Sequence, residues 1–262
     1  MAQAPTQATG AQDRPAFCQP GADQLRDGQL PADRILSDLH THTDFSHGKG
    51  TPEQNVLAAV ALGFKRIAVT EHAGGHVFFG VRGKKLLRFR QEMARLAQRY
   101  GSQIQVLCGM ECNLWGFGEC DAPRDRSPYD LLLLAYHKGV PPKDKFALSC
   151  AMEAAGLREA DPVKVAESLL LAADRYKIDI LAHPGEYVRC DIPTLAKGAA
   201  QLGVTIEINA RHVTLSPEDI RVIHNAGAKL RINSDAHSPG RVGEFTAALE
   251  AAAAAGVIIQ DE

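Results

Sequence analysis

Asp38-Leu39-His40-Thr41-His42-Thr43-Asp44 is the stretch on which the reading of the fold turns. It closes a short apolar run, 34–39, and carries two histidines two positions apart. On an extended chain, residues two apart project to the same side. His40 and His42 therefore leave the end of a strand together. Asp235 and His237 form a second such pair, just past the run 229–233. Other apolar runs end in the same manner: 66–70 leads into Glu71-His72, 104–110 into Glu111, 130–136 into His137, and 178–182 into His183. The run 204–208 completes a set of seven, and His47 lies in the loop after the first.

Amphipathic segments separate most of these runs, at 53–62, 86–100, 162–176, 192–202 and 217–225, with a final helix at 242–255. Strands alternating with helices predict βα units, a parallel sheet and right-handed crossovers. The runs are apolar on both faces, as a parallel sheet covered on both sides requires. An open sheet gathers ligands only at its topological switch point. Here six of the seven strands deliver a metal-type side chain at one end, which a ring of strands does naturally. The expected fold is α/β, a distorted seven-stranded (βα)7 TIM-like barrel with its active site at the carboxyl ends of the strands.

The chain's 262 residues suit one such barrel. Its 29 basic and 31 acidic residues give a net charge of −2, which argues against a nucleic-acid coat or a membrane-surface protein. No apolar stretch approaches the roughly 18 residues of a membrane span. Residues 1–33, rich in Ala, Gln, Pro, Gly and Asp, are expected to be a flexible tail ahead of a barrel domain at 34–262. The six cysteines form no C-x-x-C pair, which suits reduced thiols and a cytoplasmic location. Cys108 and Cys112, on either side of Glu111, are expected to be small buried apolar groups.

A lone histidine after a strand is more often a packed side chain than a ligand. Seven of the ten histidines falling independently at strand ends or in the first loop is a different matter. His76 and His212 lie in loops on the same face, and His224 falls inside an expected helix.

On these motifs the chain resembles the PHP family, the polymerase and histidinol phosphatase phosphoesterases, and among them the stand-alone bacterial phosphatases of the YcdX type. The resemblance runs from Arg34 to the C-terminus. It rests on Asp38-Leu39-His40-Thr41-His42, Thr70-Glu71-His72, Glu111, His137, Ala182-His183-Pro184 and Ser234-Asp235-Ala236-His237. Glu207-Ile208-Asn209 and Val242-Gly243-Glu244-Phe245 add to it. Glu71 stands where many members have Asp. The resemblance implies a distorted seven-stranded barrel and three metals. The first would be held by His40, His42, Glu111 and Asp235. A second would share Glu111 and be held by His137 and His183. The third would be held by His47, His72 and His237.

Such a set of imidazoles with two carboxylates favours three divalent transition metals, Zn, Fe or Mn, over Mg or Ca. The ions' charge would exceed that of the carboxylates and select an anion. The expected activity is hydrolysis of small phosphomonoesters by a hydroxide bridging two metals, with no covalent protein nucleophile. The alternatives are a metal-dependent amidohydrolase cleaving C–N bonds, or a phosphodiesterase or exonuclease of the same family. The expected partner is a small phosphorylated substrate, with neither membrane nor nucleic acid. Asp38 and Asp44 are candidates for orienting an imidazole. Arg211, His212 and Lys138 are the expected substrate contacts, Arg211 as a bidentate grip on phosphate. The loop at 74–90, with Phe78, Phe79, Arg82, Lys84, Lys85 and Arg88, and the loop carrying Trp115, Phe117, Arg124 and Arg126 would tune specificity.

Overall fold

The computed structural model describes residues 35–259, so the tail expected at 1–33 lies outside the described residues, as does Cys18. The strands are β1 (Ser37–Asp38), β2 (Arg66–His72), β3 (Gln105–Gly116), β4 (Glu119–Cys120), β5 (Leu131–Ala135), β6 (Ile180–Leu181), β7 (Thr205–Asn209) and β8 (Leu230–Asn233). The helices are α1 (Pro52–Ala61), α2 (Gly83–Tyr100), α3 (Lys145–Ala154), α4 (Pro162–Tyr176), α5 (Ile192–Leu202), α6 (Pro217–Asn225) and α7 (Thr246–Ala255). Seven strands pair in parallel in the order β1-β2-β3-β5-β6-β7-β8, while β4 pairs with β3 alone. The ring closes through a parallel bridge between Thr41 and Ala236. There the His42 N–H donates to the Ala236 carbonyl at 2.8 Å, and the Leu39 N–H donates to Asn233 Oδ1 at 3.0 Å. This is the expected (βα)7 TIM-like barrel, nearly closed, and its seam falls between the two motif pairs.

Strand alternation sorts every position into barrel interior or outer shell. Leu39, Ala68, Leu131, Leu133, Ala135, Ile180 and Ala182 form a small apolar plug inside the barrel. The alternate residues Ile67, Val69, Leu132, Leu134, Ile206 and Ile208 pack outward under the helices. Cys108 and Cys112 join that outer core as buried free thiols, as expected. Going up the interior face, the plug gives way to polar side chains at the carboxyl ends. The lower half of the barrel is thus ordinary core, and the upper half is a site.

Several helices begin on capping residues that set their entry. Thr51 and Ser216 close capping boxes, Asp161 and Asp191 cap α4 and α5, and a proline follows each at the first helical turn. The structure departs from the sequence expectation at β3, which does not stop at residue 110. It runs to Gly116 and turns back through β4 in an antiparallel pair, Leu114 opposite Cys120. Glu111 is therefore mid-strand, not at a strand end. Helix α3 was not expected. It buries only Ala147 and Cys150, too narrow an apolar stripe to register as a periodic signal. It begins where Asp144 accepts from the Ala147 N–H at 2.8 Å and from the Phe117 N–H at 2.7 Å. Among the described residues no helix is long and apolar enough to cross a membrane.

Candidate metal centre

Glu111 sits at the middle of the site. Its carboxylate lies 2.9 Å from His183 Nε2, 3.0 Å from His137 Nε2, 3.0 Å from His72 Nδ1, 3.3 Å from His42 Nε2 and 3.4 Å from His40 Nε2. The parity of β3 explains this position, since Leu107, Gly109, Glu111 and Asn113 share the inward face. Asp235 Oδ1 stands 3.5 Å from His42 Nε2, 3.8 Å from His40 Nε2 and 3.3 Å from His237 Nδ1. His237 Nε2 meets His47 Nε2 at 2.7 Å, and the His47 ring stacks on Phe79 with centroids 4.3 Å apart. All nine residues expected as ligands therefore share one cluster.

Two of them bend the backbone to get there. His183 and Asp235 have φ of 27° and 52°, in the left-handed region that costs a residue with a side chain roughly 1–2 kcal/mol. Strain of this kind concentrates where a side chain must be aimed.

The donor geometry fits metal ions. At metal–ligand distances of about 2.0–2.2 Å, neighbouring donors on one ion stand roughly 3–3.5 Å apart, much as these do. Three groups each offer donor atoms lying within 4.8 Å of one another: His40, His42 and Asp235; His40, Glu111 and His183; His42, His72 and Glu111. Many of the close approaches are not hydrogen bonds. Glu111 Oε2, Asp235 Oδ1 and His72 Nδ1 are buried with no aligned hydrogen-bond partner, although His72 Nδ1 and Glu111 Oε2 are only 3.0 Å apart. Buried polar atoms seldom go unpaired, so these donors call for a cation.

The electrostatics of the cluster point the same way. Burial alone would lower the histidine pKa values, but the Glu111 and Glu71 carboxylates raise His42 to about 9, and Glu111 and Glu186 raise His183 to about 10. His40 is also held well above its ordinary value: burial opposes this, and Glu207, Glu111 and Asp235 outweigh it. Burial would raise Glu111, yet His137, His40 and His72 hold it well below the usual carboxylate range. Burial lowers His72 well below its ordinary value and lowers His47 to about 4. Carboxylates this deep need positive charge nearby. The raised values of His40, His42 and His183 mark where that positive charge is needed.

A second layer of polar groups aims the imidazoles. Glu207, fully buried on the inward face of β7, lies 2.9 Å from His40 Nδ1. It also accepts from the His183 N–H at 3.0 Å, Asn209 Nδ2 at 2.8 Å and Asn233 Nδ2 at 2.8 Å. Burial would raise its pKa, but His40 and these donors depress it to about 2. Glu186 bridges His183 Nδ1 at 2.9 Å, off the hydrogen-bond direction, and His212 Nδ1 at 3.0 Å. Asn113 Oδ1 meets His137 Nδ1 at 2.8 Å. Glu71 accepts from the Thr43 N–H at 3.0 Å and from the Thr43 and Ser46 hydroxyls, bracing the turn that carries His47. Such partners fix tautomer and ring orientation. Replacing Glu207 with Gln is expected to lower metal affinity about 10- to 100-fold while the barrel stays folded. Chelator competition together with circular dichroism checks this, and an unchanged affinity would remove Glu207 from that role.

The sequence reading placed the orienting role elsewhere, and the structure corrects it. Asp38 is buried but accepts from Ser234 N at 3.1 Å, from the Ser234 hydroxyl and from Gly243 N at 3.0 Å, so it locks the barrel seam and touches no imidazole ring. Asp44 is exposed. The signal in the sequence that points to Glu207 is the inward parity of its strand. β7, which carries none of the nine expected ligands, thus supplies Glu207 to the site.

A cavity of ≈ 290 Å³ opens above the cluster. Arg211, His212 and Lys138 line it, as do Phe78, Phe79 and His76. Arg211 is exposed with its guanidinium against His237 Nδ1, and Lys138 Nζ lies 5.0 Å over the Tyr187 ring. Lys84, Lys85, Arg88, Trp115, Phe117, Arg124 and Arg126 do not line it. Arg126 instead pairs with Asp179, just ahead of β6 at the opposite end of the barrel. His224 falls in a helix, α6, as expected, and is exposed there.

Comparison with known proteins agrees with this picture. A protein from Shewanella sediminis described as a probable phosphatase is 26% identical over 234 residues, covering 82% of this chain and 84% of its own. One from Edwardsiella ictaluri, also described as a probable phosphatase, is 28% identical over 221 residues, covering 79% of this chain and 81% of its own. Among solved structures, histidinol phosphate phosphatase from Lactococcus lactis, complexed with zinc, L-histidinol and phosphate, superposes with a TM-score of 0.59 at 17% identity, covering 86% of this chain and 95% of its own. That likeness is one of fold. The PHP domain profile matches residues 38–181, a span that holds His40, His42, His47, His72, Glu111 and His137. The chain belongs to the PHP domain family.

Proposed function

We propose that this PHP-family hydrolase releases phosphate from small phosphomonoesters at a site holding three divalent transition metals. The observation that carries the reading is the Glu111 carboxylate within 3.4 Å of five imidazoles, with Oε2 lacking any aligned partner. A carboxylate so placed suits a bridge between ions. His40, His42 and Asp235 would complete one ion's set, His137 and His183 a second, and His47, His72 and His237 a third. When bound, such ions supply Lewis acidity toward phosphoryl oxygens and lower the pKa of water toward neutrality.

The chain's own residues would do the rest. Glu71, Glu186 and Glu207 take up much of the positive charge that Glu111 and Asp235 leave, so attraction of the anion falls more to Arg211 and Lys138 at the mouth. A guanidinium there can hold two phosphate oxygens at once. His212, oriented by Glu186 through Nδ1, presents Nε2 near Asp235 at 3.6 Å, where its lone pair can accept from a donor group on the substrate. Phe78 and Phe79 offer an apolar wall to the leaving group. A cavity of ≈ 290 Å³ admits a small molecule and leaves little room for two large ester arms. The phosphatase descriptions of the curated relatives, and the phosphate bound to the Lactococcus lactis protein, support the same chemistry.

Metal analysis of protein purified without chelator, paired with assays on p-nitrophenyl phosphate and its bis-ester, tests the reading. Close to three transition metals per chain and preference for the monoester are expected. Fewer than two metals per chain would sink the trinuclear site, preference for the bis-ester would make this a diesterase, and turnover of amides alone would make it a C–N hydrolase.

A further inference from the structure

Asp121 follows β4 in the hairpin that the sequence pattern did not reveal. Its carboxylate accepts the Asn113 N–H at 2.5 Å, Asn113 Nδ2 at 2.7 Å and the Gly75 N–H at 2.6 Å. All three partners are donors. A carboxylate, which only accepts, satisfies them, whereas an amide would set its own NH2 against one of them. The contact to Nδ2 decides which way the Asn113 amide faces, because it leaves Oδ1 pointing at His137 Nδ1, 2.8 Å away. An amide oxygen cannot donate. His137 Nδ1 must then carry a proton, which leaves Nε2, 3.0 Å from Glu111 Oε1, as the ring atom that would face an ion. The assignment of amide and tautomer follows from the network as a whole.

The same carboxylate reaches across to the loop between β2 and α2. Gly75 begins the segment that carries His76, Phe78 and Phe79, all lining the cavity. Contact there is tight: a Cβ on Gly75 would stand 2.4 Å from Asp121 Oδ2. The loop is pinned further by the Val77 N–H to the Gly139 carbonyl at 2.9 Å, the turn that follows His137.

We propose that Asp121 is a positioning residue that sets the tautomer of His137 through Asn113 and fixes the substrate-side loop through Gly75. One side chain then holds two walls of the site in register, one facing the metals and one facing the leaving group. This rests on the reading of His137 as a metal ligand, and the experiment separates the two.

The first measurement is the protonation of His137 Nδ1 in metal-free, 15N-histidine-labelled wild-type protein, by long-range proton–nitrogen correlation. A proton on Nδ1 is expected, with or without a second on Nε2 toward Glu111, and an unprotonated Nδ1 overturns the proposal. The second is Zn2+ affinity by chelator competition in Asp121→Asn, Asn113→Ala and His137→Ala. Asp121→Asn and Asn113→Ala are each expected to lose about 10- to 100-fold and to shift the His137 tautomer signal. KM for p-nitrophenyl phosphate is expected to rise in Asp121→Asn beyond any rise in Asn113→Ala, which keeps the Gly75 contact. If His137→Ala loses Zn2+ affinity while Asp121→Asn and Asn113→Ala keep wild-type affinity and tautomer, the relay is wrong. If His137→Ala keeps wild-type affinity, the ligand reading fails, and the tautomer spectra still decide the relay. Should Asp121→Asn not fold, Asn113→Ala and the wild-type spectrum carry the test.

Discussion

Glu111→Gln is expected to lower kcat/KM on a phosphomonoester by more than about 100-fold, beyond the range that outer-layer changes produce, and to reduce bound metal by at least one ion per chain. The substitution keeps the volume and removes the charge. Five imidazoles approach this carboxylate within 3.4 Å, and a neutral amide can neither bridge cations nor offset them. Its NH2 would also face nitrogen lone pairs that are meant for ions. The fold is expected to survive, because the apolar plug and the outer core lie elsewhere on the strands. Steady-state kinetics, metal analysis and thermal melting on the same sample check the three parts together. Activity within tenfold of wild type, a difference of only about 1.4 kcal/mol in the barrier, would show that Glu111 is not the shared ligand.

Stripping the metals is expected to lower Tm by roughly 8–16 °C and to abolish turnover, with both restored by Zn2+. An ion present at 1,000 times its dissociation constant stabilises the folded state by about 4.1 kcal/mol. Each kcal/mol moves Tm by about 2–4 °C in domains of this size class. A melt that chelator leaves unchanged would count against bound metals as part of the folded state. The process has a pH signature as well. In the metal-free cluster burial pulls the histidines down, but carboxylates hold His42 at about 9 and His183 at about 10, so both carry protons at neutral pH. Metal uptake must displace those protons. Affinity for Zn2+ should therefore climb as pH rises from 7 toward 9–10, and level off above it. Isothermal titration in buffers of different ionisation enthalpy would count the protons released.

Much of this architecture was legible before any coordinates. The i, i+2 pairs His40/His42 and Asp235/His237 and the polar ends of the other runs pointed to a ring of strands, and the ring is there. Period-2 and period-3.6 patterns are local, so they survive in the sequence. The β3–β4 hairpin did not show, because an antiparallel return of two residues, Glu119–Cys120, carries no pattern of its own. Helix α3 did not show because its buried face is only Ala147 and Cys150. Arg126 looked like a loop cation near the site and is instead spent on Asp179.

The orienting groups follow the same division. Asp38, two residues before His40, was a natural sequence candidate, yet Glu207, 167 positions away, is the group that reaches His40 Nδ1. By itself the sequence determined which residue types stand at the strand ends and that they face one way, because side-chain direction on a strand is set by the neighbouring peptide units. Only the tertiary structure decided which carboxylate meets which imidazole. Those meetings depend on strand order, register and closure of the ring, and such quantities bring together residues that no local pattern connects.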